Sequence, residues 1–209
     1  MINNIKEKMT SDNVVIRIIT TYIWFLIVFL TVTILSYYIL PQGLLLNKHP
    51  LQNWDTSPSL LISTLQIFAF NLMSIIVLII GNTFLIRKNI KQCFMPLGYT
   101  AFFVMITINA IVLGTWSFSV ITDAIPLMDR IIGIFDIFHR AALWEMSGQL
   151  LILCATTGIS LIIMDGKETI KKKWATISLS KQEIIIIGLG LVLMIMGAFI
   201  ESYSIISLS

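Results

Sequence analysis

Charge is scarce in this chain: Asp, Glu, Lys and Arg make up 12% of it, about half the share of a soluble globular domain. So few charges cannot solvate the surface of a chain in which 57% of residues are hydrophobic. Its slight positive excess forms no basic patch interleaved with aromatics, which argues against nucleic-acid binding. Cysteine is nearly absent. Cys93 and Cys154 share no metal-ligand or redox spacing, and each reads as a small buried hydrophobe. Catalytic signatures are missing too: there is no G-x-S-x-G, no H-E-x-x-H and no Walker A glycine loop. The chain is therefore expected not to be an enzyme, to need no cofactor, and to hydrolyse no ATP as a P-loop protein. His139 precedes Glu145 by six residues, which is not a same-face helical spacing, so the pair is no metal or catalytic dyad.

What the chain has is long apolar runs. About 20 such residues cross a bilayer core of ~30 Å, and the runs predict five spans at about 18–40, 61–86, 95–121, 141–164 and 184–200. The fold class expected is all-α, a polytopic membrane helix bundle in one transmembrane domain over 1–209. The first run is too long for a signal-peptide core and lacks a small-residue cleavage site, so it is read as a retained helix after a polar tail, Met1–Asn13. Pro41–Ser59, with three prolines, is loop chemistry and forms the first external segment.

Orientation follows from the cations. With the N-terminal tail, the 87–91 turn and the 167–181 connector in the cytoplasm, only Lys48, Arg130 and Arg140 of the fourteen Lys and Arg lie outside. That is the positive-inside pattern for a bacterial cytoplasmic membrane, N-terminus inside. Near 126–138 a helix would put Leu127, Ile131, Ile134, Phe135 and Phe138 on one face, opposite Asp129, Gly133, Asp136 and Arg140. This segment is either an amphipathic external helix at the interface or a kinked continuation into the fourth span.

Polar residues inside the spans are the candidate site. Asn71 and Asn109 fall near the midplane, Glu145 and Glu201 near the outer face. Two readings stand for them: interhelical hydrogen bonds that fix packing, or an intramembrane polar site for a proton, an ion or a peptide amine. Asn82, beside Gly81, reads as packing. Arg87, Lys88, Lys171, Lys172 and Lys173 would contact anionic lipid or dock a cytosolic partner.

Four short pieces carry a family resemblance: IFAFNLMSIIVLIIG (67–81), INAIVLG (108–114), LWEMSG (143–148) and GAFIES (197–202). In order and spacing they resemble the stage II sporulation protein M-like family of integral membrane proteins, over about 61–202. Ala110 stands where that family has Gly, and Ala141-Ala142 where it has His-Gly. The resemblance implies a membrane subunit associated with an ABC-type exporter, in secretion of or immunity to a small bacteriocin-like peptide. The partners would be a separate ATPase subunit, another membrane protein, or both. The alternative it implies is a non-transporting scaffold for cell-wall remodelling enzymes of the sporulation type, working through Pro41–Ser59 and Pro126–Arg140. The small-residue helix faces also allow a homo-oligomer.

The charge pattern makes one prediction. In a background freed of Cys93 and Cys154, a cysteine at Lys48 is expected to react with a membrane-impermeant maleimide in intact cells. One at Lys6 is expected to react only after lysis.

Overall fold

The computed structural model describes residues 2–46, 48, 57–87, 94–117, 126, 128–129, 131–132, 142–165, 168–171, 173 and 177–208. Six helices are described: α1 Ile2–Met9, α2 Val14–Ile39, α3 Leu60–Thr83, α4 Leu97–Gly114, α5 Leu143–Ala155 and α6 Lys181–Leu208. Four of these, α2, α3, α4 and α6, are long and apolar enough to cross a membrane. The molecule is a multi-pass helical membrane bundle.

On the first long helix the aliphatic side chains turn outward and the polar and aromatic ones inward. On α2 the buried stripe is Arg17, Thr21, Phe25, Phe29, Thr33 and Ser36, whereas Ile19, Ile23 and Ile27 are exposed. This inverts a soluble helix. Lipid solvates the aliphatic residues, so helices associate through close packing and hydrogen bonds rather than by escape from water. Asn13 starts α2, its Oδ1 accepting from the Val15 N–H at 2.9 Å, which satisfies an end donor left over by the helix. Phe25 of α2 meets Phe102 of α4, ring centroids 6.2 Å apart, in a core completed by Leu78, Ile106, Ala110, Leu150 and Leu153.

Glycines set the closest crossings. A Cβ on Gly148 of α5 would lie 2.5 Å from the Gly190 carbonyl oxygen of α6 and 2.6 Å from Met194 Cγ. A Cβ on Gly114 of α4 would lie 2.5 Å from the Thr33 carbonyl oxygen of α2. At both places the backbones touch because no side chain intervenes.

The chain also forms a small sheet at the end of the bundle that the charge pattern assigns to the cytoplasm. Its strands are β1 Phe84–Arg87, β2 Phe94–Pro96, β3 Ile162–Asp165 and β4 Glu168–Lys171, in the order β2-β1-β3-β4. β1 and β3 run parallel, with Phe84 opposite Ile162 and Arg87 opposite Asp165. They continue α3 and α5, so those two helices leave the bundle in the same direction, as the expected topology requires.

The sheet corrects several boundaries. The second span ends at Thr83 rather than Ile86, and the third runs Leu97–Gly114 instead of 95–121. The first and fifth extend beyond the expected bounds, to Val14–Ile39 and Lys181–Leu208. The largest change is to 141–164. Its described helix is the 13 residues Leu143–Ala155, followed by a 3-10 turn at Thr157–Ile159 and then β3. Thirteen residues rise about 20 Å, short of a ~30 Å core. The helix stops because Thr156 and Thr157 turn their hydroxyls onto the Ile152 and Leu153 carbonyls, at 2.7 and 3.1 Å. Such bonds compete with helix propagation. The N-terminal tail is not featureless either: α1 docks, with Met9 buried and its carbonyl accepting from the Tyr99 hydroxyl at 2.6 Å. Of the amphipathic 126–138 segment only Pro126, Met128, Asp129, Ile131 and Ile132 are described; Met128-Asp129 and Ile131-Ile132 are helical, and the rest lies outside the described residues.

Gly148→Val is expected to force α5 from α6 and lower stability by about 1–3 kcal/mol, as overpacking does. Gly188→Ala, whose Cβ would meet nothing within 4 Å, is expected to be neutral or mildly stabilising. Thermal unfolding of the detergent-solubilised protein measures both.

Candidate functional site

Ile75 of α3, Ile152 of α5 and Met194 of α6 form one buried apolar cluster. Away from the sheet, the same three faces turn polar. Asn71 is four residues from Ile75, Glu145 seven from Ile152, and Glu201 seven from Met194, all same-face helical spacings. Asn71 faces the Glu145 carboxyl within reach of a hydrogen bond, and the Glu201 carboxyl is near enough for its charge to act on it. Three of the four expected polar residues are thus brought together. Asn109 is not: it is half-buried on α4, and no hydrogen bond ties it to the group.

The depth of Glu145 needs correcting. It lies ten residues above Ala155, about 15 Å at 1.5 Å per residue. Asn71 is about 16 Å above Asn82, the residue that holds the lower end of α5, by the same rise. Both are therefore near mid-depth of a ~30 Å core, not near the outer face. Counting down from an outer boundary at Ala141 misplaced Glu145, because the lower third of that run is turn and strand. Glu201 lies about one turn farther out.

The group is short of partners. Asn71 is 9% exposed, and its Nδ2 and the Glu145 Oε1 are both enclosed without a hydrogen bond. The fully buried Ser202, next to Glu201, also has a hydroxyl without a partner. A buried donor or acceptor left unmade costs about 1–3 kcal/mol.

Asn82 shows what a packing amide looks like. Its Nδ2 donates to the Leu153 carbonyl at 3.0 Å and to Thr156 Oγ1 at 2.8 Å, its backbone carbonyl accepts from Ser160 Oγ at 3.1 Å, and its Oδ1 is enclosed without a partner. It closes the lower end of α5 against α3, as the sequence reading expects of it.

A second polar group lies at the sheet end. Glu183 pairs with the buried Arg17, and Ser180 and Glu183 cap the start of α6 reciprocally: Glu183 N–H donates to Ser180 Oγ at 3.2 Å and Ser180 N–H to Glu183 Oε2 at 2.8 Å. Sequence reasoning passes over Arg17 and Glu183, although S-x-x-E before an apolar run is a capping-box signature. A cavity of about 210 Å³ opens beside them, lined by Thr10, Asp12, Arg17, Thr157 and Glu183 among others. Of the cytoplasmic cation candidates, Arg87 and Lys171 are placed by backbone in β1 and β4, and Lys173 is exposed. Lys88 and Lys172 lie outside the described residues.

Fold and site together define a class: a helical multi-pass membrane protein with a half-buried carboxyl–amide group inside its bundle. No protein-family model matches the chain, and no curated protein or solved structure matches it.

The two buried asparagines are expected to respond oppositely. Asn82→Leu removes the two Nδ2 hydrogen bonds to Leu153 and Thr156, worth roughly 0.5–1.5 kcal/mol each. Asn71→Leu removes an unmatched amide and is expected to leave the thermal midpoint unchanged or raised.

Proposed function

We propose that this chain is a membrane subunit of a peptide export or immunity system that works with a separate ABC-type ATPase in a bacterial cytoplasmic membrane. The observation that carries this reading is the Asn71–Glu145–Glu201 group: two carboxyls and an unmatched amide at the depth where a bundle has most to gain from an apolar core. Ionisable residues at that depth mark proton, ion or substrate pathways by default. A cationic group, from a peptide or from solvent, is the chemistry that two carboxyls favour.

The chain has no phosphate-binding loop of its own, so energy from ATP has to arrive through a partner. The β2-β1-β3-β4 sheet and the basic connector form the surface that such a partner would engage. β1 continues α3 directly and β3 follows α5 after the turn at Thr157–Ile159, so a force applied at the sheet would reach the two helices that carry Asn71 and Glu145. The resemblance to stage II sporulation protein M-like proteins points the same way.

Glu145→Gln and Glu201→Gln are expected to lower peptide secretion or self-resistance severalfold in the native host while membrane levels stay normal. An ATPase is expected to co-purify with the wild-type chain in mild detergent. Full activity in both variants, at normal expression, would show that the carboxyls only pack. Recovery of wall hydrolases in place of an ATPase would replace the exporter reading with the scaffold.

A further inference from the structure

Where α5 stops short, the bundle is not filled. The cavity of about 210 Å³ opens there, lined by Thr10, Asp12, Arg17, Thr157, Gly158 and Glu183 among others. Apart from Gly158 and Pro96, every lining residue carries a polar side chain. Empty cavities in proteins are apolar, whereas a polar one holds water once it offers about 10–15 Å³ and polar partners. Such partners are waiting. Arg17 and Thr21 are buried one turn apart on the same face of α2. Among the described residues, Arg17 Nε and the Thr21 hydroxyl are enclosed without a hydrogen bond.

An ion pair crosses this space. α2 and α6 each pack against α5. Below the end of α5, Arg17 of α2 donates through Nη2 to Glu183 Oε1 of α6. The two side chains are only 5% and 13% exposed, so the pair stands within the bundle rather than on its surface. Glu183 Oε2 accepts from the Ser180 N–H and hydroxyl at 2.8 and 3.0 Å. One carboxylate thus caps α6 and ties its first turn to α2. The turn after α5 differs in access from one residue to the next. Gly158 is exposed, and a Cβ there would meet nothing within 4 Å. Thr157 is 7% exposed, its hydroxyl 3.0 Å from that of Tyr99.

We propose that this cavity is an aqueous vestibule entering the bundle from the cytoplasmic side beneath the end of α5, and that the Arg17–Glu183 pair is the gate to its inner part. Non-helical backbone is tolerated in a membrane bundle where it is buried in protein or lines water. The turn at Gly158 does the second. Water that passes the pair supplies the partners that Arg17 Nε and Thr21 lack. Parting a buried pair is costly when either charge is left dry. With water on one side both are hydrated as they separate, which makes the pair a closure that opens and not a fixed strut. Glu183 begins the helix that follows the basic connector, so a partner engaging the connector acts first on this gate. The vestibule does not depend on the exporter reading, and its test uses neither ATPase nor peptide.

The test uses the full chain with single cysteines, Gly158→Cys or Thr157→Cys, in the background freed of Cys93 and Cys154. Each is treated with trimethylammonioethyl methanethiosulfonate, a membrane-impermeant cation, in vesicles of known orientation. The reagent attacks the thiolate, which forms in water and is suppressed in apolar surroundings. In inside-out vesicles Gly158→Cys is expected to react readily and Thr157→Cys slowly. Glu183→Gln is expected to speed the reaction at Thr157→Cys severalfold. Gln still caps the helix, so this change isolates the ion pair. Arg17→Gln, which leaves Glu183 in its cap, is expected to do the same. No reaction at Gly158→Cys, or reaction from the outer face alone, would overturn the vestibule. An unchanged rate at Thr157→Cys in both pair variants would overturn the gate. So would an equal acceleration by Ser180→Ala, which weakens the cap and leaves the pair, because fraying of α6 would then account for it.

Discussion

Inside a hydrocarbon core no water is available to complete a hydrogen bond, and every feature of this bundle is arranged around that constraint. The helices satisfy their own backbones. On α2 the polar side chains turn inward and many aliphatic ones face out. Where a helix stops within the bundle, its last carbonyls need a substitute for water. The Asn82 amide provides it for α5, reaching Leu153 and Thr156 from the neighbouring helix.

Against that background the group at Asn71, Glu145 and Glu201 stands apart. Asn82 Nδ2, the Tyr99 hydroxyl and the Arg17 guanidinium have named partners at the end of the bundle that carries the sheet. Asn71 and Glu145 each keep an enclosed atom without one, as do Asn82 Oδ1 and Arg17 Nε; what sets the group apart is its two carboxyls. Polar groups are not retained at such positions for packing alone when a leucine would pack as well and leave nothing unsatisfied. Two carboxyls inside the bundle are the strongest functional signal in the molecule.

The sheet end gives this arrangement its anchorage. α1 is tied to α4 through the Met9 carbonyl and Tyr99, and Tyr99 in turn meets Thr157 after α5. The Arg17–Glu183 pair joins the starts of α2 and α6. Parallel pairing of β1 and β3 adds a backbone link between the continuations of α3 and α5.

Much of this was legible in the residues themselves. Apolar length alone identifies the four spanning helices, since desolvating ~20 residues leaves a helix no other stable place. Same-face spacing places Asn71, Glu145 and Glu201 on inward faces once those faces are known. The sequence does not say which faces turn inward, because in lipid both sides of an apolar helix look alike and packing selects between them. Residues 156–164 mislead for a related reason. Thr-Thr-Gly-Ile-Ser-Leu-Ile-Ile-Met is apolar enough for a span, but its hydroxyls and β-branched side chains serve a turn and a strand equally well. Only the presence of β1 alongside decided for the strand. With the end of α5 fixed there, Glu145 sits at mid-depth beside Asn71. Composition determined that the chain enters a membrane; pairing between segments far apart in sequence determined where its carboxyls meet.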